Sequence, residues 1–333
     1  MKRSDFLKFG GTAMLTPFIP FGAKEGYPVP ERVKPQALKP GDTIGLTAPA
    51  GIVFEEEEFD RMKKVLEEFG LNVRFGEHVK KRHGYFSGTD EERAEDLNNM
   101  FADDSIDGIM AVRGGWGCAR ILPFLDFDII RKNPKVYCGF SDNTTLHHAF
   151  LAFSGLVSYH GPNGNSDWSD LTKDYFQKVI MKGEQAEFIS NSIVRTINPG
   201  KAEGVLIGGN LTILTTGLGT MYQAAAENVI LFVEDIGERT YKIDRMLTHL
   251  SRAGILERIN GFVFGKCTDC SAGSDPTFTF QQVLNQHLKP LDIPVIMNAD
   301  IGHEEDNFTL PQGVKAVLDT DRGSIKLLEK PVA

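Results

Sequence analysis

The sequence predicts an α/β protein: an N-terminal domain on a parallel sheet of Rossmann or flavodoxin type, then a smaller C-terminal α/β domain. Two observations carry this. From Asp42 onward, short apolar runs alternate with amphipathic stretches at helical spacing, the pattern of a parallel sheet covered on both faces. Between about residues 163 and 203 the alternation lapses into polar sequence without clear periodicity, and it resumes at Gly204. The expected division is 36–162, a connection over 163–203 with a helix near 171–181, and 204–333.

Taken in order, residues 43–47 (TIGLT) read as a strand that ends in the turn Ala48-Pro49-Ala50-Gly51. Phe59, Met62, Val65, Leu66 and Phe69 recur at helical spacing, and residues 71–75 form the next strand. A helix over 90–101 starts from Thr89 as N-cap, with Glu92 placed to complete a capping box. Residues 106–112 form a strand running into Arg113-Gly114-Gly115; 135–140 form a further strand, and 144–153 a helix. In the second half, strands are expected at 229–233, 261–264, 294–297, 315–318 and 324–328, with helices near 243–253 and 278–288.

Residues 1–25 stand apart from this pattern. Lys2, Arg3 and Lys8 precede an apolar stretch over 9–21 and the small pair Gly22-Ala23, the layout of an export signal. Arg3-Ser4-Asp5-Phe6-Leu7-Lys8 resembles a twin-arginine signal whose second arginine has become serine. The alternative is a loosely docked tail. With the signal in use the protein works in the periplasm or cell envelope; otherwise it is cytoplasmic. Elsewhere no apolar run approaches the ~18 residues of a membrane span.

At 333 residues with 41% hydrophobic and 24% charged side chains, the chain is globular rather than disordered. Its net charge of −9, without a basic block, argues against nucleic acid as a partner. Four cysteines are too few for a disulfide scaffold. Cys267 and Cys270 form a CxxC with no second pair at zinc spacing, so no metal site is expected. Their spacing reads as coincidence, with a redox pair as the alternative in an exported protein.

Four segments hold candidates for chemistry. In Gly139-Phe140-Ser141-Asp142-Asn143 a buried strand turns directly into a helix, which puts the Ser141 hydroxyl at the C-terminal sheet edge beside helix-start N–H groups. This is like a nucleophile elbow, although Asn143 stands where the second glycine of G-x-S-x-G belongs; the bland reading is that Ser141 or Asp142 only caps the helix. Arg113-Gly114-Gly115-Trp116-Gly117 offers close backbone approach, an oxyanion donor and a guanidinium for a carboxylate, and it matches neither the dinucleotide fingerprint nor the P-loop. The strand ending in Glu234-Asp235 supplies a carboxylate to orient a histidine, or merely a charged terminus. A strand leading to Gly302-His303 supplies a general base, with His160 as its strongest rival.

Together these segments resemble the LD-carboxypeptidase family of serine peptidases, over about residues 36–325. The resemblance rests on six segments in the family's order: GDTIGLTAPAG from Gly41, GYFSGTDEERAEDLNNMFAD from Gly84, RGGWG from Arg113, GFSDNTTL from Gly139, VEDIGERTYKIDR from Val233, and Gly302-His303. It implies Ser141 as nucleophile, Glu234 rather than Asp235 as acid, and His303 rather than His160 as base. It further implies that the serine stands on the N-terminal domain and the acid and base on the C-terminal one. Backbone N–H groups of Asp142 and of Gly114 or Gly115 become the oxyanion candidates, and Arg113 a candidate for the substrate carboxylate. Trp116 and Asn143 depart from the residues common at their positions. The implied activity is cofactor-free release of the terminal D-alanine from murein tetrapeptide by a homodimer. Two alternatives stay open: a peptidase of peptidyl-nucleotides or other modified peptides, as in microcin C immunity, and an inactive binder of murein fragments.

Overall fold

A computed structural model describes residues 30–223, 227–273 and 277–333; the expected export signal lies outside them. Strands β1 (Thr43–Thr47), β2 (Asn72–Phe75), β3 (Gly108–Ala111), β4 (Val136–Gly139) and β5 (Tyr159–His160) form a parallel sheet in the order β2-β1-β3-β4-β5. This is the flavodoxin strand order, in which ligands gather at the carboxyl ends of the strands. Strands β1, β3 and β4 are apolar along nearly their whole length because helices cover both faces. Helices α1 (Glu56–Glu68) and α2 (Asp90–Ala102) fall where their periodicity placed them, and the Thr89–Glu92 capping box is formed on both sides. Two short helices the sequence pattern did not reveal, α3 (Cys118–Ile121) and α4 (Phe127–Lys132), precede β4. The helix after β4 is α-helical only as α5 (Thr144–Ala149) and widens into a π turn at Phe150–Ser154.

Residues 163–203 hold α6 (Asp170–Phe176) and two strands, β6 (Glu187–Ile189) and β7 (Arg195–Asn198). Both strands join the second sheet, at its opposite edges. That sheet has a parallel centre of β8 (Lys201–Asn210), β9 (Val229–Ile236), β10 (Gly261–Thr268) and β11 (Val295–Met297). Helices α7 (Leu211–Thr216), α8 (Thr240–Arg252) and α9 (Phe280–Leu288) lie between these strands in the chain. The chain then lends β12 (Leu310–Pro311) to the first sheet, antiparallel to β5, and returns with β13 (Lys315–Asp319) and β14 (Ser324–Leu327) to the second. Among the described residues no helix is long and apolar enough to cross a membrane.

The two sheets meet at the start of α5 and the end of β8. Gly209 has φ +137°, and a Cβ there would stand 2.3 Å from Thr144 Oγ1. Only glycine combines that backbone with that contact. Beside it the Asn210 N–H donates to Thr144 Oγ1 at 2.9 Å, and His148 Nε2 meets the Gly208 carbonyl at 3.0 Å. Gly209→Ala is expected to destabilise the fold by about 2 kcal/mol or more, through strain and overlap together. Urea unfolding of the two proteins measures this, and an unchanged midpoint would mean the docking is looser than described.

Candidate active site

Ser141 occupies the turn between β4 and α5, partly accessible at the C-terminal edge of the first sheet. Its φ is +66°, a left-handed conformation that costs a non-glycine residue about 1–2 kcal/mol. The strain is held from several sides. The Asn143 amide accepts from Tyr137 OH at 2.6 Å and donates to the Phe140 carbonyl at 3.0 Å. Asn163 accepts the Phe140 N–H at 3.1 Å. Asn143 therefore stands in the second-glycine position because its side chain ties the turn inward. Neither this turn nor α5 has a side-chain cap. The Asp142 carboxylate instead accepts the Cys118 N–H at 2.7 Å and so pins the start of α3 to the elbow. Burial raises the Asp142 pKa.

The glycine loop after β3 leans on the same turn. A Cβ on Gly114 would lie 2.7 Å from Ser141 Cβ, so the backbone there passes directly over the serine. The Gly114 carbonyl accepts the Gly51 N–H at 3.1 Å, which fixes the loop to the turn after β1. Gly115 is exposed with φ +117°. The Arg113 guanidinium donates to the Ile52 carbonyl at 3.1 Å, which anchors the side chain at the rim of this loop.

Glu234 lies in the buried run of β9, one residue before that run ends at Asp235, and His303 lies on the loop after β11. His303 Nδ1 meets Glu234 Oε2 at 2.7 Å, with Glu234 fully buried. Gly302 permits this approach: its φ is +128°, and a Cβ would fall 2.9 Å from Glu234 Oε2. The other Glu234 oxygen, Oε1, has no hydrogen-bond partner among the described residues. The His303 ring also packs 4.7 Å from that of Phe140, the residue before Ser141, which brings the second sheet's pair to the first sheet's elbow. Burial alone would lower the His303 pKa, but the Glu234 charge and hydrogen bond, with Asp235 and Glu304 nearby, raise it above the usual histidine value.

The neighbouring candidates are otherwise engaged. Asp235 turns to the opposite face of β9, where it accepts from Asn210 Nδ2 and from the Thr212 N–H and hydroxyl; burial lifts its pKa to about 6. His160 is fully buried between Phe140 and Phe232, without a hydrogen-bond partner for either ring nitrogen among the described residues, and burial holds its pKa well below 6.5. The next elbow histidine, His147, spans the Gly139 carbonyl and Ser158 Oγ, each at 2.8 Å, and is held neutral at a pKa of about 3. Cys267 and Cys270 correct the expectation of coincidence: they form a disulfide with Cα atoms 5.4 Å apart, so they offer a metal no thiolates. Asn163, Gly208 and Gly209 had drawn no attention in the sequence. A glycine pair before a capping asparagine at a strand end was the available signal for the last two.

Residues 44–161 match the LD-carboxypeptidase N-terminal domain and residues 203–318 the LD-carboxypeptidase C-terminal domain. The probable murein peptide carboxypeptidase of Bacillus subtilis is 38% identical over 293 residues, covering 86% of this chain and 92% of that protein. The microcin C7 self-immunity protein MccF of Escherichia coli is 30% identical over 330 residues, 88% of this chain and 95% of that protein. The wild-type apo structure of MccF superposes with a TM-score of 0.83 at 28% identity, covering 90% of this chain and all of that one (100%). The muramoyltetrapeptide carboxypeptidase from Oxalobacter formigenes gives a TM-score of 0.75 at 33% identity, over 86% of this chain and 97% of that one.

The charge on Glu234 is what lifts the His303 pKa, and the base must be neutral to accept a proton, so catalysis is expected to rise with pH through that raised value. Glu234→Gln should shift this acid limb to lower pH while cutting kcat/KM roughly a hundredfold or more. A pH profile of both proteins checks the pairing, and an unmoved limb would uncouple Glu234 from the base.

Proposed function

The chain belongs to the LD-carboxypeptidase family of serine peptidases, and from that premise we propose that it releases the terminal D-alanine of murein tetrapeptide, with Ser141, His303 and Glu234 acting together. The scissile amide joins an L-configured centre, diaminopimelate or lysine, to the D-residue. The observation that carries the reading is the short His303–Glu234 hydrogen bond packed against an elbow whose serine is held at positive φ.

In this mechanism Glu234 holds Nδ1 of His303 protonated, leaving Nε2 free to take the Ser141 proton as the hydroxyl attacks the carbonyl carbon. The developing oxyanion accepts from the Asp142 N–H and from an N–H of Gly114 or Gly115. As the tetrahedral species collapses, the C–N bond breaks and His303 returns the proton to the departing D-alanine amine. Water then attacks the acyl-serine by the same route in reverse. Arg113, at the rim of the glycine loop, binds the substrate's terminal carboxylate and makes the enzyme a carboxypeptidase. No cofactor enters the cycle. Homodimerisation and use of the N-terminal signal, hence work in the cell envelope, belong to the same proposal; light scattering and cell fractionation of the full chain read them. The likeness to MccF favours a second reading, cleavage of a peptidyl-nucleotide by the same residues.

Mass spectrometry of L-Ala-γ-D-Glu-meso-diaminopimelate-D-Ala, incubated with wild type or Ser141→Ala, tests the proposal. Loss of one alanine with wild type alone is expected. Loss with both proteins moves the chemistry off Ser141. Loss with neither turns the reading to a modified peptide or to a binding protein. In the same assay Arg113→Ala should raise KM for the free acid and leave the C-terminally amidated peptide unaffected; equal effects would remove Arg113 from that role.

A further inference from the structure

The Cys267–Cys270 disulfide closes a turn at the end of β10 that touches the loops after both Glu234 and His303. On one side, the Thr268 carbonyl accepts the Gly237 N–H at 2.8 Å, and the Ser271 N–H donates to the Glu238 carbonyl at 3.1 Å. The Ser271 carbonyl in turn accepts the Thr240 N–H at 3.0 Å, where α8 begins. Gly237 is three residues beyond Glu234, and Cys267 itself lies opposite Asp235 in the β9–β10 register. On the other side, Thr268 Oγ1 donates to Glu304 Oε1 at 2.9 Å, next to His303. One residue before the disulfide, the Lys266 N–H donates to the Ile301 carbonyl at 2.8 Å and its ammonium pairs with buried Asp300 at 3.1 Å.

The bonds from Thr268 and Ser271 tie the turn outward, and within it the disulfide is the covalent closure. The β9–β10 pairing is irregular between Phe264 and Cys267. Asp269 is at φ +54°, and Asp269, Ser271, Ala272 and Gly273 are exposed, so that among the described residues of the turn Cys267 is the one packed against the apolar core. Among the described residues its internal backbone hydrogen bond is Cys270 N–H to the Cys267 carbonyl at 3.2 Å. Both cysteines are partly accessible, and a cavity of about 530 Å³ opens beside them between Arg195, Phe280 and Met297. None of its lining residues belongs to the Ser141 group, so a small dithiol reaches the sulfurs without entering the catalytic cleft.

We propose that the Cys267–Cys270 disulfide is a positioning device that clasps the Glu234 and His303 loops together, so that the peptidase works at full rate only while the pair is oxidised. The inference rests on the role given to Glu234 and His303 above. Reduction by a dithiol delivers two electrons and two protons to the sulfurs, breaks the S–S bond, and converts the dithiol to its own disulfide. The freed turn relaxes, the hydrogen bonds from Thr268 and Ser271 weaken, and the Glu234–His303 geometry loosens.

The test compares full-length wild type, oxidised, reduced with dithiothreitol and reoxidised, with Cys267→Ser/Cys270→Ser. Reduction is expected to lower kcat/KM about fivefold, the worth of roughly one hydrogen bond at the base, and reoxidation to restore it. The acid limb of the pH profile should move to lower pH in the reduced protein, a shift that partial unfolding would not produce. The double variant should sit at the reduced level and ignore dithiothreitol. Equal kcat/KM in the oxidised and reduced wild type overturns the proposal, and so does a double variant with full activity. Should the tetrapeptide prove not to be a substrate, hydrogen exchange at the Gly237 and Ser271 amides decides: faster exchange on reduction upholds the clasp, and unchanged exchange overturns it.

Discussion

The docking of β8 against the start of α5 is the constraint on which the site depends. The Glu234–His303 bond is made within the second sheet, while Ser141 stands on the first. No local rule keeps these groups within reach of one another; the inter-sheet contacts must. Gly209 lets the end of β8 approach Thr144 of α5, while Gly208 lies close to its own sheet, where a Cβ would fall on the Phe232 carbonyl of β9 at 1.8 Å. Gln312 then brackets Gly208, with its amide donating to the Gly208 carbonyl at 2.9 Å and accepting the Gly208 N–H at 3.0 Å. Since Gln312 follows directly on β12, the strand lent to the first sheet, the chain crosses the interface and is bonded on both sides of it.

Within that frame the polar groups divide into those bonded in the interior and those proposed to react. Asp142, Asn143, Asn163, Asp235 and His147 are buried, and each is bonded to a neighbouring turn or helix start. Buried polar groups satisfied in this way fix one conformation, because any alternative leaves them unpaired at a cost of about 1–3 kcal/mol each. The strain at Ser141 persists because these bonds over-determine the turn. Ser141 and His303, by contrast, keep partial access to solvent. The Phe140–His303 ring contact at 4.7 Å is thus made between elements held by these bonded groups.

Much of this was readable in the sequence, for identifiable reasons. The central strands and the helices α1, α2, α8 and α9 carry long periodic patterns or capping boxes, and local physics decides them. Helix α3, at four residues, and strands β5 and β12, at two residues each, are too short to carry a period. Strand β12 even contains Pro311, and only its pairing with β5 makes it a strand. Likewise β6 and β7 lie in polar sequence and exist because the second sheet needs edges. Local patterns name the candidate residues one by one; their grouping came only from the family resemblance. Adjacent strand residues point to opposite faces, so the residues by themselves left Glu234 and Asp235 equivalent; the family resemblance chose Glu234, and the structure sets it against His303 and Asp235 against α7. A CxxC reads alike whether its sulfurs are bonded or free.

In the proposed mechanism a serine on one sheet and a Glu–His pair on the other act as a single unit. The most direct measurement is labelling with an organofluorophosphonate, located by peptide mass spectrometry in wild type and in His303→Ala. One adduct is expected on the peptide containing Ser141, formed by wild type and lost, or slowed roughly a hundredfold or more, in the variant. Labelling at another serine, or labelling of Ser141 at equal rates in both proteins, would contradict it.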